Sequence, residues 1–67
     1  MKDWTRIYST PDSYLAQIIK GNIEEHGIEC VLINKQGSPY NILGDVEVYV
    51  HKENVLKAIK ILKEHNQ

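Results

Sequence analysis

The run Val46–His51, Val-Glu-Val-Tyr-Val-His, constrains the fold more than any other stretch. Its valines alternate with Glu47, Tyr49 and His51, so a strand sends the two sets to opposite faces of a sheet. Valine is stiff about χ1 and suits a pleated surface. The run is therefore expected to be the central strand of a small sheet, with helices on the valine face. At 67 residues the chain allows one domain, residues 1–67. A domain of that size hides only about 60% of its unfolded surface, and its core rarely supplies more than about 3–5 kcal/mol. The lone cysteine, Cys30, excludes an internal disulfide, and no close Cys/His spacing marks a structural metal. Association with another copy or partner is thus the expected support.

Eight basic and nine acidic residues give a net charge of −1. There is no polycationic stretch for a phosphate backbone and no acidic tail. The start, Met-Lys-Asp-Trp, has no apolar signal region, and no apolar run approaches membrane-spanning length. A cytoplasmic protein with no membrane partner is the expectation. Phenylalanine is absent, whereas four tyrosines and one tryptophan carry polar handles.

In chain order, Trp4–Ser9 reads as a first strand, with Thr5 and Ile7 on one face and Trp4, Arg6 and Tyr8 on the other. In Ser-Thr-Pro-Asp-Ser, Thr10 is the expected N-cap, Pro11 the first helical residue, and Asp12 suits the positive helix end. The helix is predicted from Pro11 to His26, with Leu15, Ile18, Ile19 and Ile23 as its apolar stripe. Gly21 costs about 1 kcal/mol within it, which a close backbone contact would explain. Gly27 is a left-handed helix stop, followed by an apolar Ile28. Ile28–Lys35 is a second strand, with Val31 and Ile33 facing away from Cys30 and Leu32. The connection up to Asp45 is rich in turn formers and longer than the ~2–5 residues of ordinary hairpin loops, and Tyr40, Ile42 and Leu43 anchor it. After Val46–His51, a second helix is predicted over about Glu53–His65. Val55, Ala58, Ile59 and Leu62 form its stripe, with Leu56 and Ile61 flanking.

The order β-α-β-β-α implies an architecture. A right-handed crossover from the first strand to the second leaves room for the third between them. The expected fold is α+β and ferredoxin-like: a three-stranded antiparallel sheet in order 1-3-2, two helices on one face, and no fourth strand. The first strand's outer edge then lacks a neighbour, and the other sheet face lacks a helix. That face is expected to present Trp4, Arg6, Tyr8, Val31, Ile33, Glu47, Tyr49 and His51, an aromatic and apolar patch of the kind that marks an interaction surface.

The segments Trp4–Thr10, Glu24–Cys30, Gly44–Val50 and Ala58–Leu62 resemble a family of short bacterial domains labelled "putative signal-transducing proteins", of unknown function. The resemblance spans nearly the whole chain and implies a PII-like (GlnB-like) fold. PII-like proteins are typically trimers that bind nucleotide and effectors between subunits and touch targets with a loop between the second and third strands. Here Gln36–Asp45 occupies that place and carries Tyr40. The loop is shorter than theirs, the last strand is missing, and no Gly-rich phosphate cradle is present.

His26 and His65 lie near helix C-termini, where capping is their expected work. His51, ending the third strand on the open face, is the histidine placed in a candidate site. Cys30 reads as a buried inert thiol, and Glu24-Glu25 as a solvated pair. Trp4, Tyr8 and Tyr49 could stack bases, but Arg6 and Lys35 are offset by Glu29 and Glu47, which disfavours nucleic acid. No catalytic, metal or cofactor motif is present. The reading is a non-enzymatic regulatory domain acting by association with itself, as a homo-oligomer, or with another protein. Its expected surface is the outer edge of the first strand, the open face and the Gln36–Asp45 loop with Tyr40. The alternative is a small-molecule sensor, for nucleotide or metabolite, with its site between subunits.

Overall fold

The computed structural model describes residues 2–36 and 44–65. The elements run β1 (Trp4–Thr10), α1 (Ser13–Glu25), β2 (Cys30–Asn34), β3 (Val46–His51), a 3-10 turn (Lys52–Asn54) and α2 (Val55–His65). Both sheet pairings are antiparallel and the strand order is β1-β3-β2, so the valine ribbon is central as expected. Tyr40 and most of the Gln36–Asp45 connection lie outside the described residues.

The valines dictate where the helices go. Val46, Val48 and Val50 are buried with Ala16, Ile19 and Ile23 of α1, Ala58 and Ile61 of α2, and Ile28 and Cys30. Burying one such aliphatic side chain contributes about 1.5–3 kcal/mol, so this single layer of contacts supplies most of the driving force. The stripes differ in detail from the helical-spacing expectation. In α1 the small Ala16 is fully buried while Ile18 is 42% exposed. In α2 Ile61 is buried rather than flanking, and Leu56 is 83% exposed. A helix on a twisted sheet touches it along a narrow line, and small side chains are favoured where backbones approach.

Local chemistry sets the ends of α1. Asp12, not Thr10, is the N-cap: its Oδ1 accepts from the Tyr14 and Leu15 amides at 3.0 and 3.2 Å. Thr10 instead accepts from the Asp12 amide at 3.1 Å, holding the capping residue in place, so the helix starts two residues later than Pro11. At the other end Gly27 takes φ +78°, the left-handed conformation that a Cβ disfavours. The His26 and Gly27 amides turn back to the Ile23 and Glu24 carbonyls, and Ile28 is buried just beyond. Gly21 has no close backbone contact to explain it: a Cβ there would meet nothing within 4 Å.

Candidate interaction face

Period-two alternation in β3 sends Glu47, Tyr49 and His51 away from the helices. The register then selects their neighbours. Tyr49 lies between Arg6 and Val31, Glu47 between Ser9 and Ile33, and His51 opposite Trp4. Trp4, Arg6, Val31, Ile33, Glu47, Tyr49 and His51 therefore share one face, as the alternation predicts.

Tyr8 does not join them. The β1–β3 register shifts between Arg6 and Tyr8, so Tyr8 lies opposite Val48 on the helix-covered side. Ile7 and Tyr8 both pack against the core. A bulge inserts one residue into a strand and reverses the alternation beyond it. Simple period-two counting through Ile7 therefore placed Tyr8 on the wrong face. The same shift turns Ser9 to the open side, where its hydroxyl donates to Asp45 Oδ2 at 2.8 Å.

Glu47 is the centre of the face, and sequence reasoning underrated it. The residue is only 5% exposed although no helix covers it. Arg6 Nη1 lies 2.8 Å from Oε2, Lys35 Nζ lies 3.4 Å from Oε1, and the Tyr49 hydroxyl donates to Oε1 at 3.0 Å. Arg6 of β1 and Lys35, the residue after β2, thus each supply a cation, and the central strand supplies both the carboxylate and a neutral donor. The Arg6 guanidinium holds the Glu47 carboxyl below its usual value of 4.5; partial desolvation opposes this, and Tyr49 and Lys35 reinforce Arg6. The carboxylate is ionised and saturated with donors at neutral pH, which suits a structural anchor rather than a proton-transfer group. The sequence shows a lone acid amid valines, but which cations reach it is set by the cross-strand register.

At the end of the same face the Trp4 and His51 rings stack with centroids 3.9 Å apart and planes 29° from parallel. His51 Nε2 lies 3.1 Å from Glu29 Oε1, so the start of β1, the end of β3 and the residue before β2 meet there. Glu29 is expected on this face only as an offsetting charge, not as a partner of His51.

The other candidates resolve into structural work. Cys30 is buried and its thiol is pushed up to about 11, mainly by burial, with Glu24 adding and Lys20 opposing. At neutral pH it is a neutral thiol, not the thiolate that nucleophilic chemistry requires. His26 Nδ1 donates to the Asn22 carbonyl at 2.8 Å, satisfying one of the last turn's acceptors. The expectation for the His65 ring falls outside the described residues. Among the described residues no three His, Cys, Asp or Glu side chains converge to hold a metal ion. No described helix is long and apolar enough to cross a membrane. On the helix side, an open hollow of about 270 Å³ has an Ile28 and Ile61 floor and a His26, Lys57, Lys60 and Glu64 rim.

The chain matches, over residues 4–66, the family described as "putative prokaryotic signal transducing protein". No curated protein and no solved structure matches it.

Proposed function

The chain belongs to that signal-transducing family, and from this premise we propose that it is a non-enzymatic regulatory domain working by association, with the open sheet face as its contact surface. One observation carries the reading: both helices are spent on the valine face, while Trp4, Val31, Ile33 and Tyr49 stay only half-buried around a satisfied Glu47. Apolar and aromatic groups ringing a desolvated, fully paired charge resemble the centre of a protein interface more than ordinary surface.

The sensor alternative draws less support. Of the cations on this face, Arg6 is held 2.8 Å from Glu47, and the half-exposed Lys35 is a single charge for an anionic ligand. The test is a Tyr49→Glu variant, which places a second carboxylate beside Glu47. Light scattering and affinity capture with purified protein should show weakened association. If the variant stays folded and associates as tightly as the parent, the face is not the contact. Thermal shifts against a panel of nucleotides and small acids separate the sensor, which a bound ligand would stabilise.

A further inference from the structure

The two margins of the sheet are not equivalent. β1 is the longer outer strand, but its ladder slips between Arg6 and Tyr8, so its backbone groups are out of step along that margin. β2 is the other outer strand, and its register is unbroken from Cys30 opposite Val50 to Asn34 opposite Val46. It carries no charge and no proline between Cys30 and Asn34. By the usual rules for protecting sheet edges, β1 is blunted, and among the described residues nothing blunts β2.

The direction of the β2 backbone follows from one bond. The Lys35 amide donates to the Asp45 carbonyl at 3.1 Å, so Lys35 faces inward to the β3 side. Antiparallel alternation then turns Cys30, Leu32 and Asn34 outward. These residues are spaced symmetrically about Leu32. Two copies of β2 running antiparallel with Leu32 opposite Leu32 would satisfy the outward amides and carbonyls of all three on both strands. In that register Cys30 meets Asn34, Val31 meets Ile33, and Glu29 meets Lys35, each pairing occurring twice.

The flanking charges make this register self-complementary. Glu29 and Lys35 bracket β2 and both reach over the open face, Glu29 to His51 and Lys35 to Glu47. Their side chains are 69% and 50% exposed, so both can turn outward to a facing strand. Opposite charges directly across an antiparallel pair are favourable, as are facing β-branched residues such as Val31 and Ile33. A register slip of two residues would lose both charge pairs, and a slip of one would set inward groups against outward ones.

We propose that β2 is a docking edge for the β2 strand of a second copy of this chain, paired antiparallel about Leu32 across a two-fold axis normal to the sheet. The inference rests on the reading of an association domain and adds a contact of its own, an edge between two copies that leaves the open face to a further partner. The two sheets become one, the helices stay on one side, and the two open faces join into a single larger platform. The strands alone bury less than the roughly 800 Å² per partner of a standard interface, so the dimer is concentration-dependent.

Sedimentation of the full chain from micromolar to millimolar concentration, combined with cysteine cross-linking, tests this. Val31 and Ile33 would face each other as a non-hydrogen-bonded pair with Cα atoms about 4.5 Å apart, within the range a disulfide spans. Like residues would lie on the diagonal at about 7–8 Å, beyond it. Oxidising a mixture of Val31→Cys and Ile33→Cys should give a covalent dimer, and each variant alone should give little. Buried Cys30 does not compete. Lys35→Glu, shown folded by circular dichroism, should raise the dissociation constant about tenfold by setting like charges opposite twice. A monomer at every concentration overturns the proposal. A dimer whose cross-linking is the same in the mixture and in the single variants also overturns it, while leaving association itself to the Tyr49→Glu measurement.

Discussion

Replacing each of two helix glycines with alanine should move stability in opposite directions. Gly21 lies inside α1, on its exposed side, and an added Cβ meets nothing within 4 Å. Gly21→Ala removes the backbone freedom that glycine brings to the unfolded chain and should stabilise by about 1 kcal/mol. Gly27 has equally open surroundings, but its φ of +78° lies in the left-handed region. There a Cβ costs about 1–2 kcal/mol, partly offset by about 0.4–1 kcal/mol from the stiffer unfolded chain. Gly27→Ala should therefore destabilise by roughly 1 kcal/mol, leaving the two variants about 2 kcal/mol apart. Against a total of about 3–5 kcal/mol, both effects are large. With a urea slope near 1 kcal/mol/M, the midpoints should separate by about 2 M in denaturation followed by circular dichroism. The reasoning is refuted if both midpoints move the same way. A destabilised Gly21→Ala alone would mean that something packs against that side of α1.

Three further outcomes follow from the same geometry. Asp12→Ala should lose about 1 kcal/mol, because the Tyr14 and Leu15 amides lose their acceptor; the same urea titration reads it. Ile61→Ala should cost about 2–5 kcal/mol and largely unfold the chain, whereas Leu56, exposed in the first turn of α2, should tolerate Leu56→Gln within about 0.5 kcal/mol. The folded Glu47 carboxyl sits below its ordinary value, so the unfolded chain takes up that proton first on acidification. Its contribution is complete above the usual carboxylate range and fades as pH falls through the lowered folded value. Thermal melts from pH 7 to pH 2 should show a shallower acid limb for Glu47→Gln than for the parent, and identical limbs would discount the ion cluster.

The architecture was legible because its determinants are local or topological. Three alternating valines announce a half-buried strand, Gly27 announces a helix stop, and crossover handedness leaves one place for β3. The bulge was not legible. No glycine or proline marks the step from Arg6 to Tyr8, and the slip accompanies the packing of both Ile7 and Tyr8 against the core. That is a tertiary demand which alternation in one strand cannot register. The helix start shows competition of a different kind. Thr10 and Asp12 are both good caps, and the choice falls to Asp12 once Thr10 is engaged with its amide. Arg6, Lys35 and Glu47 were on the expected face, but as scattered charges. Their convergence depends on cross-strand register, a property of three segments at once.

The kink at Ile7 also bears on how far such molecules can accrete. A ribbon arriving along β1 would find a pleat offset by one step halfway along, and could match one half only by abandoning the other. Whatever joins at the regular margin leaves only kinked borders outermost, and growth by further strands halts there. By the same rule, the register shift in β1 is a device that disfavours growth of the sheet into fibres.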